Sequence, residues 1–277
     1  MEQAPINGAW LTATPCTLNA TVLTAGEFRD GLALRYGCGH KKLPGKCDGC
    51  NALFDMCHAL GCKKGGLVTL RHDTIVSEWE SLCLPAFSKP CVTAEPLINR
   101  ATRTVETAAT QASAPSESAP VVAESGGESS PADLRGDLGV AGFWSKGKKT
   151  VFDVTISDLD AASYGGTAAI KVLGEREKAK RSKYEPSCRE SRLDFTPLAF
   201  GVDGSVGGSA NAAIRRLASA LAARGNRQYS ELCGFVRLRL SIALVRAAHV
   251  CLRGARDSHA KPARPYFESS AGYSLYR

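Results

Sequence analysis

Two aspartates in the stretch from Gly136 to Tyr184 have the residue type and setting that a hydrolytic metal site needs. Asp137 and Asp153 each lie in an alternating apolar run that predicts a β-strand, so turns would bring both carboxylates to neighbouring positions of one sheet. Mg²⁺ prefers oxygen ligands and keeps several waters, one of which can be deprotonated to attack a phosphodiester. The pair therefore predicts a magnesium site, with Glu95 as a third acidic neighbour or a surface residue. In the structural alternative, Asp153 caps a strand edge and Asp137 ends a turn.

A strongly basic helix is predicted directly after these strands, from about Ala168 to Tyr184. Its end reads KRSKY, and Lys180 or Lys183 could offset the charge that develops on a phosphate, with Tyr184 orienting one of them. The alternative for these lysines is a solvated basic face without a catalytic role.

A second candidate metal site lies between Cys47 and Cys62. Cys47, Cys50, His58 and Cys62 form the pattern C-x2-C-x7-H-x3-C, which offers four ligands in two close pairs and suits tetrahedral Zn²⁺. The first pair fits a turn, and His58 and Cys62 share one face of a short helix because they are four residues apart. The alternative is a set of buried cysteines in a small hairpin.

Other ligand sets for zinc remain open at this stage. Cys57 could replace His58, and Cys38 with His40 could form a rival or second set. Disulfides are disfavoured, because the chain has 11 cysteines, an odd number, and we expect a reducing compartment.

Basic residues follow the cysteine-rich segment and predict nucleic-acid contacts. Lys63 and Lys64 precede a glycine pair, and a helix beginning near Leu67 carries Arg71 and His72 close to its start. Such a helix can present both side chains to a phosphate. The alternative is a solvated face on which His72 makes a local capping contact.

The composition favours a polyanionic partner and a folded part that is more basic than the whole. The formal net charge of the 277 residues is +8 and the pI is about 9.0. Residues 104–133 contain acidic side chains but no lysine or arginine, so the rest of the chain carries a higher positive charge than the total. We expect a protein without a signal peptide or membrane span. YxDD, GxxxxGK[ST] and GxGxxG motifs do not occur, so neither polymerisation nor ATP-driven chemistry is supported.

The order of predicted elements indicates the α/β class with a mixed sheet and flanking helices. A helix near Leu67 is followed by strands near Val92, Asp137 and Asp153, a helix that ends at Tyr184, and a strand near Thr196. We divide the chain into an N-terminal segment of unclear role (1–36), a zinc knuckle (37–66), a domain with a disordered insertion (67–253, insertion 100–133) and a basic tail (254–277).

The order of these motifs resembles the C-terminal region of non-LTR retrotransposon polyproteins, in which a CCHC zinc knuckle precedes a restriction-like PD-(D/E)XK endonuclease. The resemblance covers about 47–202 and assigns the knuckle to the four zinc candidates and the basic pair to Arg71 and His72. It assigns the two acids to Asp137 and Asp153 and the lysine-tyrosine motif to the basic helix. Two departures are Gly136, where the family has proline, and Thr155, where a D-x-K motif has lysine.

The resemblance implies a restriction-endonuclease-like fold and a Mg²⁺-dependent DNA endonuclease with a structural zinc ion. It further implies DNA as partner with RNA as a second option, action in the nucleus after synthesis in the cytoplasm, and a polymerase domain in the parent polyprotein that this chain lacks. The alternative is a zinc-knuckle remnant that binds nucleic acid without cleaving it.

Overall fold

The computed structural model describes residues 6–40, 42–99 and 133–257, and these ranges contain six α-helices and six β-strands. The helices are α1 (Ala25–Tyr36), α2 (Met56–Gly61), α3 (Leu67–Phe87), α4 (Ala169–Glu190), α5 (Gly208–Gly225) and α6 (Tyr229–Arg253). The strands are β1 (Val92–Ala94), β2 (Leu97–Asn99), β3 (Leu134–Arg135), β4 (Leu138–Ala141), β5 (Lys149–Ser157) and β6 (Asp194–Gly201). The predicted α/β class is confirmed.

Local sequence explains two elements that periodicity alone left unclear. Thr24 and Glu27 form a reciprocal capping box, which starts α1, and Gly37 ends it in the left-handed conformation at φ 61°. The single strand expected around Val92 is instead two short strands. Glu95 between them has φ 45°, and the next residue, Pro96, cannot donate a ladder hydrogen bond.

The central sheet contains both antiparallel and parallel pairs. Its strand order is β1-β4-β5-β6, in which β1, β4 and β5 pair antiparallel and β6 joins β5 in parallel. A parallel pair needs a crossover connection, and α4 provides it between β5 and β6. The strands β2 and β3 form a separate small antiparallel pair.

The sheet has a helical layer on each face, and the side chains of β5 alternate between them. Phe152 and Val154 pack in the core formed with α3, α5 and α6, whereas Val151 packs with Tyr184 of α4 and with Phe195. This alternation follows from strand geometry, because successive side chains point to opposite faces. The α4 face therefore receives the residues at odd positions of β5.

The predicted insertion and tail fall mainly on residues outside the described ranges. Of the insertion at 100–133 only Asp133 is described, and of the tail at 254–277 only 254–257. The strands that flank the predicted insertion, β2 and β3, pair with each other. In the described ranges, none of the helices combines the length, apolar character and low charge of a bilayer-spanning segment.

A buried ion pair holds α3, which carries Arg71 and His72, against α6. Arg239 Nε lies 2.9 Å from Glu78 Oε1, and Arg239 Nη2 donates to Glu78 Oε2 at 3.1 Å. Both side chains are at most 6% exposed. Removal of one partner from such a pair leaves an uncompensated buried charge.

We expect Arg239→Met to lower the free energy of unfolding by about 3–5 kcal/mol, because Glu78 would lose its counter-charge in the core. Replacing both members with apolar residues, as Glu78→Leu with Arg239→Met, should recover most of that loss. Urea unfolding measures both changes, with the exposed Arg215→Met as control. Equal destabilisation by the single and double variants would contradict the interpretation.

Candidate metal centre and acidic cleft

Cys47, Cys50, His58 and Cys62, hereafter the Cys3His cluster, converge at one point. Their donor atoms all lie within 4.8 Å of one another, with Cys47 Sγ 3.9 Å and Cys50 Sγ 4.0 Å from Cys62 Sγ, and with Cys50 Sγ 3.4 Å from His58 Nε2. A tetrahedral zinc ion with bonds of about 2.3 Å to sulfur requires sulfur atoms about 3.8 Å apart. The cluster is therefore compatible with a structural zinc ion.

Local structure positions the two ligand pairs as predicted. Cys47 and Cys50 lie in a turn closed by a bridge between Lys46 and Leu53. His58 lies on α2, where Asp55 accepts a hydrogen bond from the His58 amide at 2.7 Å and caps the helix. Because α2 ends at Gly61, Cys62 follows directly on the same side.

The charge state of the first cysteine suits a metal ligand. Burial would raise the pKa of Cys47, but hydrogen bonds from His58 and from the amides of Gly49 and Cys50 lower it to about 6. Thiolates, and not thiols, ligate metals.

The alternative ligand sets are not assembled. Cys57 is exposed outside the cluster, Cys38 Sγ contacts the carbonyl of Tyr36, and His40 lies against the carbonyl of Asp30. In residues 6–40, 42–99 and 133–257, the Cys3His cluster is the one close group of three or more such ligands. Simple burial does not account for it, since Cys50 is exposed.

Arg71 connects the cluster to the central sheet. Its Nη1 donates to the carbonyl of Leu60 on α2 at 3.0 Å, and its Nη2 donates to the carbonyl of Ile156 on β5 at 3.4 Å. Arg71 is 5% exposed, and burial lowers the pKa of its guanidinium. Its predicted contact with nucleic acid stays a prediction, and its observed partners are backbone carbonyls.

Arg256 makes a second connection that sequence reasoning missed, because it lies in the segment predicted as a basic tail. Its Nη2 donates to the carbonyl of Ala59 at 2.9 Å, its backbone amide donates to Asp48 at 2.7 Å, and it is 3% exposed. Gly65 is required beside it, since a Cβ there would lie 2.5 Å from Arg256 Cα and the backbone φ is 72°. Lys63 and Lys64, the two lysines that were predicted to contact nucleic acid, are exposed.

Asp137 and Asp153 lie on the same face of the sheet. Leu138 pairs with Phe152 in the β4–β5 register, and both side chains belong to the core formed with α3, α5 and α6. The residue before Leu138 and the residue after Phe152 must therefore lie on the α4 face. Both aspartates line one cleft of about 370 Å³, hereafter the acidic cleft.

Each aspartate has a basic partner. Asp137 Oδ2 accepts hydrogen bonds from the Val154 amide at 2.6 Å and from His72 Nε2 at 3.1 Å. Asp153, whose side chain is 4% exposed, forms an ion pair through Oδ2 with Lys180 Nζ at 2.5 Å. Asp137 lies in the bend just before β4 and not in a strand as predicted, but it is brought together with Asp153 of β5 and Lys180 of α4.

The structure separates the two candidate lysines. Lys180 lines the acidic cleft with Tyr184, whereas Lys183 is exposed and donates from Nζ to the Tyr184 hydroxyl at 3.0 Å. Burial, together with the nearby carboxylate of Asp153, raises the pKa of Tyr184. Tyr184 therefore stays a neutral phenol that can accept from Lys183.

His72 has a position that its sequence context did not predict. It bridges Asp137 through Nε2 and Asp73 through Nδ1, each at 3.1 Å. The hydrogen bond to Asp137 raises the pKa of His72 to about 9, aided by the charges of Asp137 and Asp73 and opposed by burial. His72 is thus a cation at neutral pH. No local sequence signal indicates a contact across 65 residues.

The donor set of the acidic cleft is one that Mg²⁺ accepts. Mg²⁺ is commonly held by one or two carboxylates together with substrate phosphates. Both hydrogen bonds of Asp137 fall on Oδ2, which leaves Oδ1 for a cation. Asp153 Oδ2 lies 2.5 Å from Lys180 Nζ, so a cation at that oxygen would compete with the ammonium group of Lys180.

Two larger cavities, each about 460 Å³, lie along the C-terminal half of α4. Their charged side chains include the ion pairs Lys148–Asp194 and Arg189–Glu185. Neither cavity is lined by Asp137, Asp153 or Lys180, so the acidic cleft is the better candidate for chemistry.

No protein-family model matches the chain, and a search of curated proteins found no relative. The function must therefore be argued from the geometry of the site.

We expect the purified protein to contain one zinc ion per chain and Cys50→Ser to lose it, as measured by inductively coupled plasma mass spectrometry. The unfolding temperature should fall by on the order of 10 °C, because metal-binding free energy contributes to folding and each kcal/mol shifts the Tm of such a domain by about 2–4 °C. Cys57→Ser is the matched control. Retention of zinc by Cys50→Ser would contradict the assignment.

We expect His72 to titrate near pH 9 in metal-free buffer, and Asp137→Asn to return its pKa toward the ordinary value of 6.5. Since the folded-state pKa is raised, this contact stabilises the fold fully below pH 6.5 and its contribution is lost as the pH rises toward 9. NMR of the imidazole protons measures the titration. A midpoint near 6.5 in the unaltered protein would exclude the ion pair in solution.

Proposed function

We propose that this chain is a metal-dependent DNA endonuclease with a restriction-endonuclease-like core and a structural zinc centre. The observation that carries the proposal is the convergence of Asp137, Asp153 and Lys180 on one cleft. Two carboxylates and an ammonium group at such a point can bind a cation and a phosphate together.

The topology supports the proposal. A helix, three antiparallel strands, a crossover helix and a parallel fourth strand occur in that order as α3, β1, β4, β5, α4 and β6. This is the order that the restriction-like endonuclease family would require. Since one fold can host many activities, the cleft and not the topology carries the argument.

The two departures from the family pattern have physical accounts. A Cβ on Gly136 would lie 2.3 Å from Val151 Cγ1, so any larger residue at this position, including proline, would collide with β5. Thr155 lines the acidic cleft at the position of the usual lysine, while Lys180 reaches Asp153 from α4. The ammonium group therefore comes from α4 and not from β5.

In the mechanism, Mg²⁺ bound by Asp137 and Asp153 would supply Lewis-acid activation of water and of the phosphate. Lys180 lies against Asp153 and would move its ammonium group toward the negative charge that grows on the phosphate oxygens. His72 orients the Asp137 carboxylate, and the Val154 amide fixes the same oxygen atom. These contacts preorganise the cleft before substrate arrives.

The second candidate function is nucleic-acid binding without cleavage, in the nucleus or cytoplasm and on DNA or RNA. One observation favours it: His72 and Lys180 already neutralise both aspartates, so the cleft is electrostatically balanced without a cation. A scaffold in that state would keep the zinc centre and the basic surface but would not need magnesium.

We expect the protein to nick supercoiled DNA when Mg²⁺ is added, and Asp153→Ala to lower the rate by at least about a hundredfold, the effect of losing one preorganised electrostatic group. Gel electrophoresis separates nicked from supercoiled DNA. The assay buffer contains no chelator, so that a zinc ion at the Cys3His cluster is not removed. Lys180→Met should show a comparable loss.

The matched control is Glu95→Gln, which changes an exposed acid on the loop between β1 and β2. It should nick at the unaltered rate, and its result also tests the alternative in which Glu95 is a third acidic neighbour. If the unaltered protein binds DNA tightly but does not nick it, the binding-only function is the correct one.

A further inference from the structure

Three cations form a line along α4. Arg176, Lys180 and Lys183 are spaced i, i+4 and i+7, so they share one side of the helix and extend over about 10.5 Å. We refer to these residues as the α4 cationic stripe. Lys180 is its central member and contacts Asp153 in the acidic cleft.

The stripe lies on the side of α4 that borders the cleft. Arg181, on the opposite flank, donates from Nη2 to Ser209 Oγ of α5 at 2.9 Å. Because α5 covers that flank, the stripe is on the flank away from α5. Lys171 and Lys178 are exposed roughly half a turn away from the stripe.

The two outer members of the stripe keep their charge available. Among the described residues, no carboxylate forms an ion pair with Arg176 or Lys183, whereas Arg189 farther along α4 pairs with Glu185 at 2.9 Å. Both outer members are exposed. An uncompensated exposed cation beside a cleft is available to a polyanion.

A tyrosine positions each outer member. Arg176 donates from Nε at 3.2 Å and from Nη2 at 2.6 Å to the hydroxyl of Tyr164, which lies in the connection between β5 and α4. Lys183 donates to the hydroxyl of Tyr184. Preorganised cations lose less side-chain entropy when they bind a ligand.

We propose that the α4 cationic stripe binds phosphates of the strand whose scissile phosphate lies at Lys180, with Arg176 and Lys183 contacting the backbone on either side. The inference rests on the proposed function. Duplex DNA advances 3.4 Å per nucleotide along its axis, so a stripe of about 10.5 Å spans roughly three steps. Arg176 is a phosphate-binding residue that was not among the predicted site residues.

The test measures binding of fluorescein-labelled duplex DNA by fluorescence anisotropy at a series of KCl concentrations, in buffer without Mg²⁺ or chelator. Each lost phosphate contact reduces the magnitude of the negative slope of log K against log salt by about 0.9, which corresponds to about an eightfold loss of affinity at 0.1 M salt. We expect this loss for Arg176→Gln and for Lys183→Gln. Tyr164→Phe should show part of the Arg176 effect, because the guanidinium is no longer held.

Lys171→Gln and Lys178→Gln are matched controls, since they remove the same charge from the other side of the same helix. The slope should be unchanged for both controls, and thermal melting checks that all variants are folded. Equal effects of stripe and control variants, or no DNA binding by the unaltered protein, would overturn the inference.

Failure of the nuclease function gives a different result. If the stripe variants lose affinity and the controls do not, but no protein nicks DNA with Mg²⁺, the stripe holds as a nucleic-acid contact and the hydrolytic function is wrong. If the unaltered protein nicks DNA and the stripe variants bind like the controls, the nuclease function stands and the inference fails.

Discussion

The burial of Asp153 is the constraint on which the rest of the site depends. Its side chain is 4% exposed and lies on a sheet face covered by α4. A carboxylate in such a position is costly unless a positive charge accompanies it, and Lys180 supplies that charge. The helix that carries Lys180 is the crossover that the parallel pairing of β5 and β6 requires. The helix α4 therefore provides both the connection that the topology requires and the positive charge that Asp153 requires.

The N-terminal part of α3 contacts both the segment of the Cys3His cluster and the acidic cleft. Arg71 connects the carbonyl of Leu60, between two ligands of the Cys3His cluster, to β5. The next residue, His72, holds Asp137. The segment of the Cys3His cluster is thus hydrogen-bonded to the same strand and helix that build the acidic cleft. It packs as part of the central body, with Arg256 clamping it from the C-terminal side.

The two candidate functions differ in one physical event at this cleft. In the absence of a cation, His72 and Lys180 balance the two aspartates, and the structure is complete as a scaffold. In a nuclease, the carboxylates of Asp137 and Asp153 would hold Mg²⁺, and the Lys180 ammonium group would move from Asp153 toward the phosphate. The same lysine would stabilise the fold in one state and the developing charge in the other.

The sequence by itself determined the elements and most of the candidate residues. Alternating and helical periodicity predicted the α/β class, and the spacing of cysteines and histidine predicted the Cys3His cluster, because these signals depend on neighbours within one turn or one strand. Only the tertiary structure decided which lysine reaches Asp153, that Arg71 bonds to carbonyls, that His72 holds Asp137, and that Arg256 is buried. These outcomes depend on contacts between distant parts of the chain, such as the 65 residues between His72 and Asp137, and such contacts leave no local pattern.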